Sequence, residues 1–98
     1  MAVYVDDMYK YRMGRFRDMR MSHMIADSRD ELLDMADRLG VQHRWIQYPG
    51  TPKEHFDIPV RVRLEAIQLG AVEVSMKELV RIIRRKSALE DSEPIAAE

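Results

Sequence analysis

Asp6 and Asp7 close the first apolar run of the chain, Val3-Tyr4-Val5, and Asp27 closes a second run over 21–26. If both runs are parallel strands, three carboxylates meet at one sheet edge, where ligands of parallel α/β sheets gather. Hard oxygen donors of this kind hold magnesium or manganese, and a bound ion can activate water or polarise a phosphate. Asp6, Asp7 and Asp27 are therefore the candidate metal ligands, with Mg2+ or Mn2+ as the ion. The commoner role for such residues is that of strand-end turns and caps. Antiparallel pairing of the two runs would put Asp6 and Asp27 at opposite ends and dissolve the cluster.

Three further side chains suit proton transfer or ligation. His23 lies four residues before Asp27, on the same face of a strand. In His55-Phe56-Asp57, Asp57 could orient the His55 ring or cap a following helix. An imidazole titrates near neutrality and serves equally as acid, base or metal ligand. Asp7, His23, His55 and Asp57 form the candidate catalytic set.

Residues 9–20 interleave bases with Tyr9, Tyr11 and Phe16 around Gly14. Five bases and one acid over 10–20 give a local charge of +4. Arginine forks match phosphate oxygens and aromatic rings stack on bases, so Arg15, Arg17 and Arg20 are candidate anion holders. Arg61 and Arg63 could add anion contacts, although such residues more often form a solvated face. Trp45 and Gln47 share a face of a strand; a buried Trp is the ordinary role, and ligand contact is the alternative. No glycine-rich phosphate motif, nucleophile elbow or Cys/His metal spacing is present.

The elements that must position these groups follow from pattern. Val3–Val5 reads as a strand, 9–20 as a loop, and 21–26 as a second strand. Ser28 and Glu31 form a capping box for a helix with Leu32, Met35, Ala36 and Leu39 inward, ended by Gly40. Val41–Tyr48 is a third strand candidate, and Pro49-Gly50-Thr51-Pro52 a turn. The segment 53–57 runs from that loop into a second helix, with Pro59 in its first turn and Val60, Leu64 and Ile67 as its inner stripe. Residues 71–74 are a fourth strand. Ser75 and Glu78 cap a third helix bearing Leu79, Ile82 and Ile83. The order β-loop-β-α-β-α-β-α predicts a small two-layer or three-layer α/β domain over 1–89, about four mostly parallel strands with three helices. Residues 90–98 read as a flexible tail.

At 98 residues and a net charge of -1, the chain has one domain's worth of length and no global basic field. Without cysteine it has no disulfide or thiolate metal site. No apolar run is long enough to span a membrane. The N-terminus carries acids where a signal peptide carries bases, so the expected compartment is the cytoplasm.

Val3-Tyr-Val-Asp-Asp-Met8, Ser22-His-Met-Ile-Ala-Asp27, Trp45 with Gln47, His55-Phe-Asp57 and Gly70-Ala-Val-Glu-Val74 resemble a family of small phage and bacterial proteins of unknown function. The resemblance covers roughly residues 2–80 and implies a phage or prophage accessory protein. Two readings follow. The first is a binder of a phosphate-containing ligand, nucleotide or nucleic acid, at an Asp/His cluster, with a divalent metal and hydrolysis as its catalytic form. The second is a non-catalytic protein-interaction module that forms a homodimer or other homo-oligomer.

Overall fold

The computed structural model describes residues 2–91. Residues 92–98 of the expected tail lie outside the described residues, whereas 90 and 91 belong to the last helix.

The centre of the fold is β3 (Met19–Ala26), whose eight residues are enough to carry three neighbours. β1 (Val3–Val5) pairs with its end, Val3 opposite Ala26 and Val5 opposite Met24. β4 (Phe56–Pro59) pairs with its middle, Met21 opposite Pro59 and Met24 opposite Phe56. β2 (Arg15–Phe16) pairs with its start across an Arg17-Asp18 hairpin. All three ladders are antiparallel; only β5 (Val72–Glu73), beside β1, is parallel. The sheet is thus a mixed one of five strands, mostly antiparallel, and the expectation of a mostly parallel sheet is corrected. A parallel β1–β3 pair would need a long crossover, usually a helix. Residues 8–14 instead form two short 3-10 turns, and the chain returns by the hairpin.

Helices cover both faces, giving three layers. α1 (Arg29–Leu39) and α2 (Val60–Gln68) pack with Val3, Val5, Met24, Ala26, Phe56 and Ile58 in the main core. α3 (Met76–Asp91) lays Leu79 and Ile82 on Ile25 of the opposite face. Both Ser caps form: Ser28 Oγ accepts the Glu31 N–H at 3.2 Å and Ser75 Oγ that of Glu78 at 3.1 Å, and the Ser75 N–H donates back to Glu78 Oε1 at 2.9 Å, whereas Glu31 Oε1 takes the Ser28 hydroxyl at 2.8 Å. Gly40 ends α1 at φ 75°.

Two local expectations fail for identifiable reasons. Residues 43–45 are a 3-10 turn, and Trp45 is 61% exposed rather than buried in a strand. From 41–48, the sheet takes only the Gln47–His55 bridge. The segment 56–59 is strand, so α2 starts at Val60 and turns Val62, Arg63 and Ala66 inward while Leu64 is exposed.

Candidate functional site

Strand alternation sorts side chains between the two faces. Val3, Val5, Met24, Phe56 and Ile58 enter the main core, so Tyr4, Asp6, His23, Ile25, His55 and Asp57 emerge toward α3. Register then aligns them. The β1–β3 ladder continues through the Asp6 N–H, which donates to His23 O at 3.1 Å. His23 sits directly opposite Asp57, and His55 opposite Gln47. Asp6, His23 and Asp57 form a row across three strands, with His55 two residues before Asp57.

Asp6 is fully buried. Its Oδ1 accepts the N–H groups of His23 (2.9 Å) and Met8 (3.1 Å), and its Oδ2 lies 2.7 Å from His23 Nδ1. An ionised carboxylate only accepts, so Nδ1 carries the hydrogen and Nε2 is the presented atom. His55 Nδ1 lies 2.7 Å from the Lys53 carbonyl and is fixed by the same logic. The two Nε2 atoms point to one place: Asp57 Oδ1 is 3.4 Å from His55 Nε2 and 3.9 Å from His23 Nε2. Gln47 Nε2 donates to Asp57 Oδ2 at 2.7 Å, whereas the buried Oδ1 accepts no hydrogen bond.

The electrostatics match this convergence. Burial pulls the His55 ring down, but the Asp57 carboxylate, the Lys53 carbonyl and the charge of Asp6 outweigh it, leaving His55 above its ordinary value. The His55 ring, helped by Gln47, holds the Asp57 carboxyl below the usual range against the effect of its burial.

The three presented atoms lie within 4.8 Å of one another. Bonds of about 2.0–2.1 Å in tetrahedral geometry place ligand atoms about 3.4 Å apart. The His55–Asp57 edge already has that length, and the His23–Asp57 edge, at 3.9 Å, is longer. Imidazole nitrogens with a carboxylate suit zinc and other first-row transition ions, while magnesium prefers oxygen alone. Hydrogen-bonding the far nitrogen of each ring to a carboxylate or carbonyl is the usual second layer of such centres.

Two cavities flank the cluster. One, of about 220 Å³, is lined by Asp6, His23, His55, Tyr48, Lys53 and apolar residues of α3. Tyr48 holds a positive φ of 52° and stacks on His55 at 6.0 Å. Buried Glu54 accepts the Gly50 N–H (3.0 Å) and pairs with Arg29 (3.2 Å), tying the 48–54 loop to α1. The other cavity, on the Asp57 side, contains Arg15, Phe16, Trp45 and Gln47.

Of the sequence candidates, His23, His55 and Asp57 come together with Asp6 behind them. The proposed Asp6–Asp7–Asp27 cluster does not form, because β1 and β3 are antiparallel. Asp7 Oδ1 accepts the Met76 N–H at the start of α3 (2.9 Å). Asp27, at the far end of β1, accepts from Ala2 N (2.7 Å) and from the Tyr4 hydroxyl (3.0 and 3.1 Å). Arg61 is exposed and pairs only weakly with Glu65, at 3.6 Å, away from the cluster. Arg15 and Trp45 line the groove that reaches Asp57, Arg20 lines a neighbouring basic groove, and Arg17 lies over Phe16 at 5.4 Å.

Sequence reasoning missed the positioning residues. Arg63 is buried, donates from Nε to Asp6 O at 2.8 Å, pairs with Glu73 at 3.2 Å and covers the Tyr9 ring at 4.7 Å. Nothing in its neighbourhood along the chain signals that role. Tyr48 closes a run that reads as strand and Lys53 opens one that reads as leading into a helix, so neither stands out in sequence as a site residue.

Among the described residues, no helix is long and apolar enough to cross a membrane. No curated protein and no solved structure gives a match to the chain. A family model does match, over residues 3–86, a span that holds almost the whole described domain and every residue of the cluster. The chain belongs to the family described as "Protein of unknown function (DUF4031)".

Proposed function

We propose that the protein is a metal-dependent hydrolase of phosphate esters whose ion is held by His23 Nε2, His55 Nε2 and Asp57 Oδ1. One observation carries this reading: two imidazoles with their Nδ1 atoms already committed aim their Nε2 atoms at one buried carboxylate oxygen, at 3.4 and 3.9 Å, longer than good hydrogen bonds. In the metal-free protein that oxygen has only the long ion-pair contacts with the two rings, and a cation at this point would replace them with short bonds. Three protein ligands leave coordination positions open, as catalytic rather than structural centres do.

The ion would be zinc or another first-row transition metal, not magnesium. It would lower the pKa of a bound water and polarise a phosphoryl oxygen. Held by His23, His55 and Asp57, the ion would supply the activated water for attack at phosphorus, and the proton lost by that water would pass to the leaving oxygen as the P–O bond broke. Asp6 positions His23 and balances part of the positive charge. Lys53, which lines the cavity beside the two rings, is a candidate to hold a non-reacting phosphate oxygen.

Isothermal titration with Zn2+ and Mn2+, followed by turnover of bis(p-nitrophenyl) phosphate by the loaded protein, tests the reading. One ion should bind per chain, and His55→Ala and Asp57→Asn should each weaken binding at least tenfold. Binding that is no tighter than millimolar, or that ignores both substitutions, removes the metal centre. Tight binding without turnover of any phosphodiester removes the hydrolase and leaves a metal-dependent ligand-binding protein.

A further inference from the structure

We infer that the groove leading to Asp57 is a track for single-stranded nucleic acid, with a base stacked on Trp45 and Phe16 and the neighbouring phosphates held by Arg12, Arg15 and Arg20. This names the substrate class of the proposed metal centre and rests on that reading for its catalytic meaning.

The track consists of two cavities that share one residue. The first, about 400 Å³, is lined by Met13, Arg15, Phe16, Trp45, Gln47 and Asp57. Three of its apolar members are unusually open: Trp45 is 61% exposed, Phe16 55% and Met13 68%. Large apolar groups left in water around a concave surface mark a place for a partner. The second, about 260 Å³, is formed by Tyr9, Lys10, Tyr11, Arg12, Arg15 and Arg20. Arg15 belongs to both, and Asp57 ties the aromatic end to the His23–His55 cluster.

Charge selects the occupant. Lys10, Arg12, Arg15, Arg17 and Arg20 face a single acid, Asp18, within residues 10–20. Arg17 lies 5.4 Å from the Phe16 ring centre and Arg44 4.9 Å from that of Trp45. A planar ring flanked by guanidinium groups fits a base between phosphates, since stacking tolerates any base and arginine supplies the backbone contact. Arg17 also holds φ 58° at the hairpin tip, a strained setting that costs energy in a residue with a side chain. A mononucleotide would fill one cavity; a strand spans both, with Arg15 at the crossing. The chain's overall charge of -1 confines the attraction to this patch and predicts modest affinity with a shallow salt dependence.

Trp45 is the single tryptophan, so its fluorescence reports on the groove directly. The full chain in EDTA is titrated with oligo-dT and oligo-U of about ten nucleotides at low salt. Saturable quenching by either supports the track, and a preference between them separates DNA from RNA. With three arginines engaged, log K should fall against log salt with a slope of about −2. Anisotropy of a labelled oligonucleotide should show about tenfold weaker binding for Trp45→Ala and for Arg15→Glu, with Trp45→Phe close to the parent. Zinc binding by Trp45→Ala should be unchanged, so the metal reading and the track can fail separately. No quenching by either oligonucleotide, competition by dTMP at equal nucleotide concentration, or equal quenching by polyglutamate would overturn the proposal.

Discussion

His23 and Asp57 stand directly opposite each other on β3 and β4, with His23 Nε2 3.9 Å from Asp57 Oδ1. Behind His23, Asp6 makes the 2.7 Å contact that decides which ring nitrogen faces Asp57. A three-strand row therefore sets the chemistry of the cluster before any ligand arrives.

Asp6→Asn tests that row. The amide cannot accept from the His23 Nδ1–H and both N–H groups as the carboxylate does. The metal-free protein should lose about 1–3 kcal/mol in urea unfolding. Zinc affinity should also fall, by about 10–100-fold, because the ring loses its orienting partner. Equal zinc affinity in parent and variant, measured on folded protein, would mean that Asp6 only stabilises the fold.

The pH dependence of the metal-free protein has a definite sign. His55 is raised above its ordinary 6.5, so its contribution to stability is complete below 6.5 and fades as pH rises through the folded value. Asp57 is lowered from 3.8, so its contribution is complete above 3.8 and fades as pH falls through its folded value. The pair therefore stabilises most between about pH 4 and 6.5. In EDTA, urea midpoints of the parent should exceed those of Asp57→Asn most within that window, and the His55 ring protons should titrate at lower pH in the variant. A difference independent of pH would show that the two side chains are not electrostatically linked.

How much of this was legible in sequence depends on distance along the chain. The Ser28–Glu31 and Ser75–Glu78 caps and the Gly40 terminus are local patterns, and all three form. The site residue types are legible locally: His55 lacks an obvious structural duty in its own segment, while His23 and Asp57 stand out by chemistry alone, Asp57 with helix capping as its alternative role. Their grouping is not, because it depends on strand direction. Asp27 joins Asp6 only if the two strands are parallel, and the antiparallel register of Val3 with Ala26 sends it to the other end. Trp45 was unreadable because a strand-like run of residues became a 3-10 turn held only by the Gln47–His55 bridge.

Asp7 separates the site from its scaffold. Its carboxylate accepts the Met76 N–H and so caps α3 from a distance in sequence. Asp7→Ala should cost about 0.5–2 kcal/mol, the usual loss on removing a helix cap. Zinc affinity and the activity of the loaded protein should stay within about twofold of the parent. A large drop in turnover at unchanged zinc affinity would restore Asp7 as a catalytic residue.

Gly14 holds the basic loop against the sheet. A Cβ there would lie 2.3 Å from Met8 O and 2.9 Å from Met21 O, both backbone atoms that cannot rotate away. Gly14→Ala should destabilise the fold by about 1–3 kcal/mol, the range for overpacking. Because the shift displaces Arg12 and Arg15, oligonucleotide binding should weaken more than zinc binding does. Unchanged urea stability would mean that the 8–14 segment adapts freely and does not brace the groove.

Arg63 is the least replaceable of the positioning residues, since its one guanidinium joins three elements. It reaches the Asp6 carbonyl just past β1, Glu73 on β5 and the Tyr9 ring in the first 3-10 turn. Lysine offers a point charge without the planar fork, so it can keep one of these contacts but not all. Arg63→Lys should therefore lose about 1.5–3 kcal/mol, the scale of hydrogen bonds to charged groups. Most of that loss comes from the buried Asp6 carbonyl and the Tyr9 ring, because Glu73 is largely exposed and its ion pair is screened. Glu73→Gln, which removes only the exposed partner, should cost a few tenths of a kcal/mol at most on the same reasoning. Comparable losses in the two variants would place the weight on the ion pair, and Asp6 would then owe its position to the His23 and Met8 N–H groups alone.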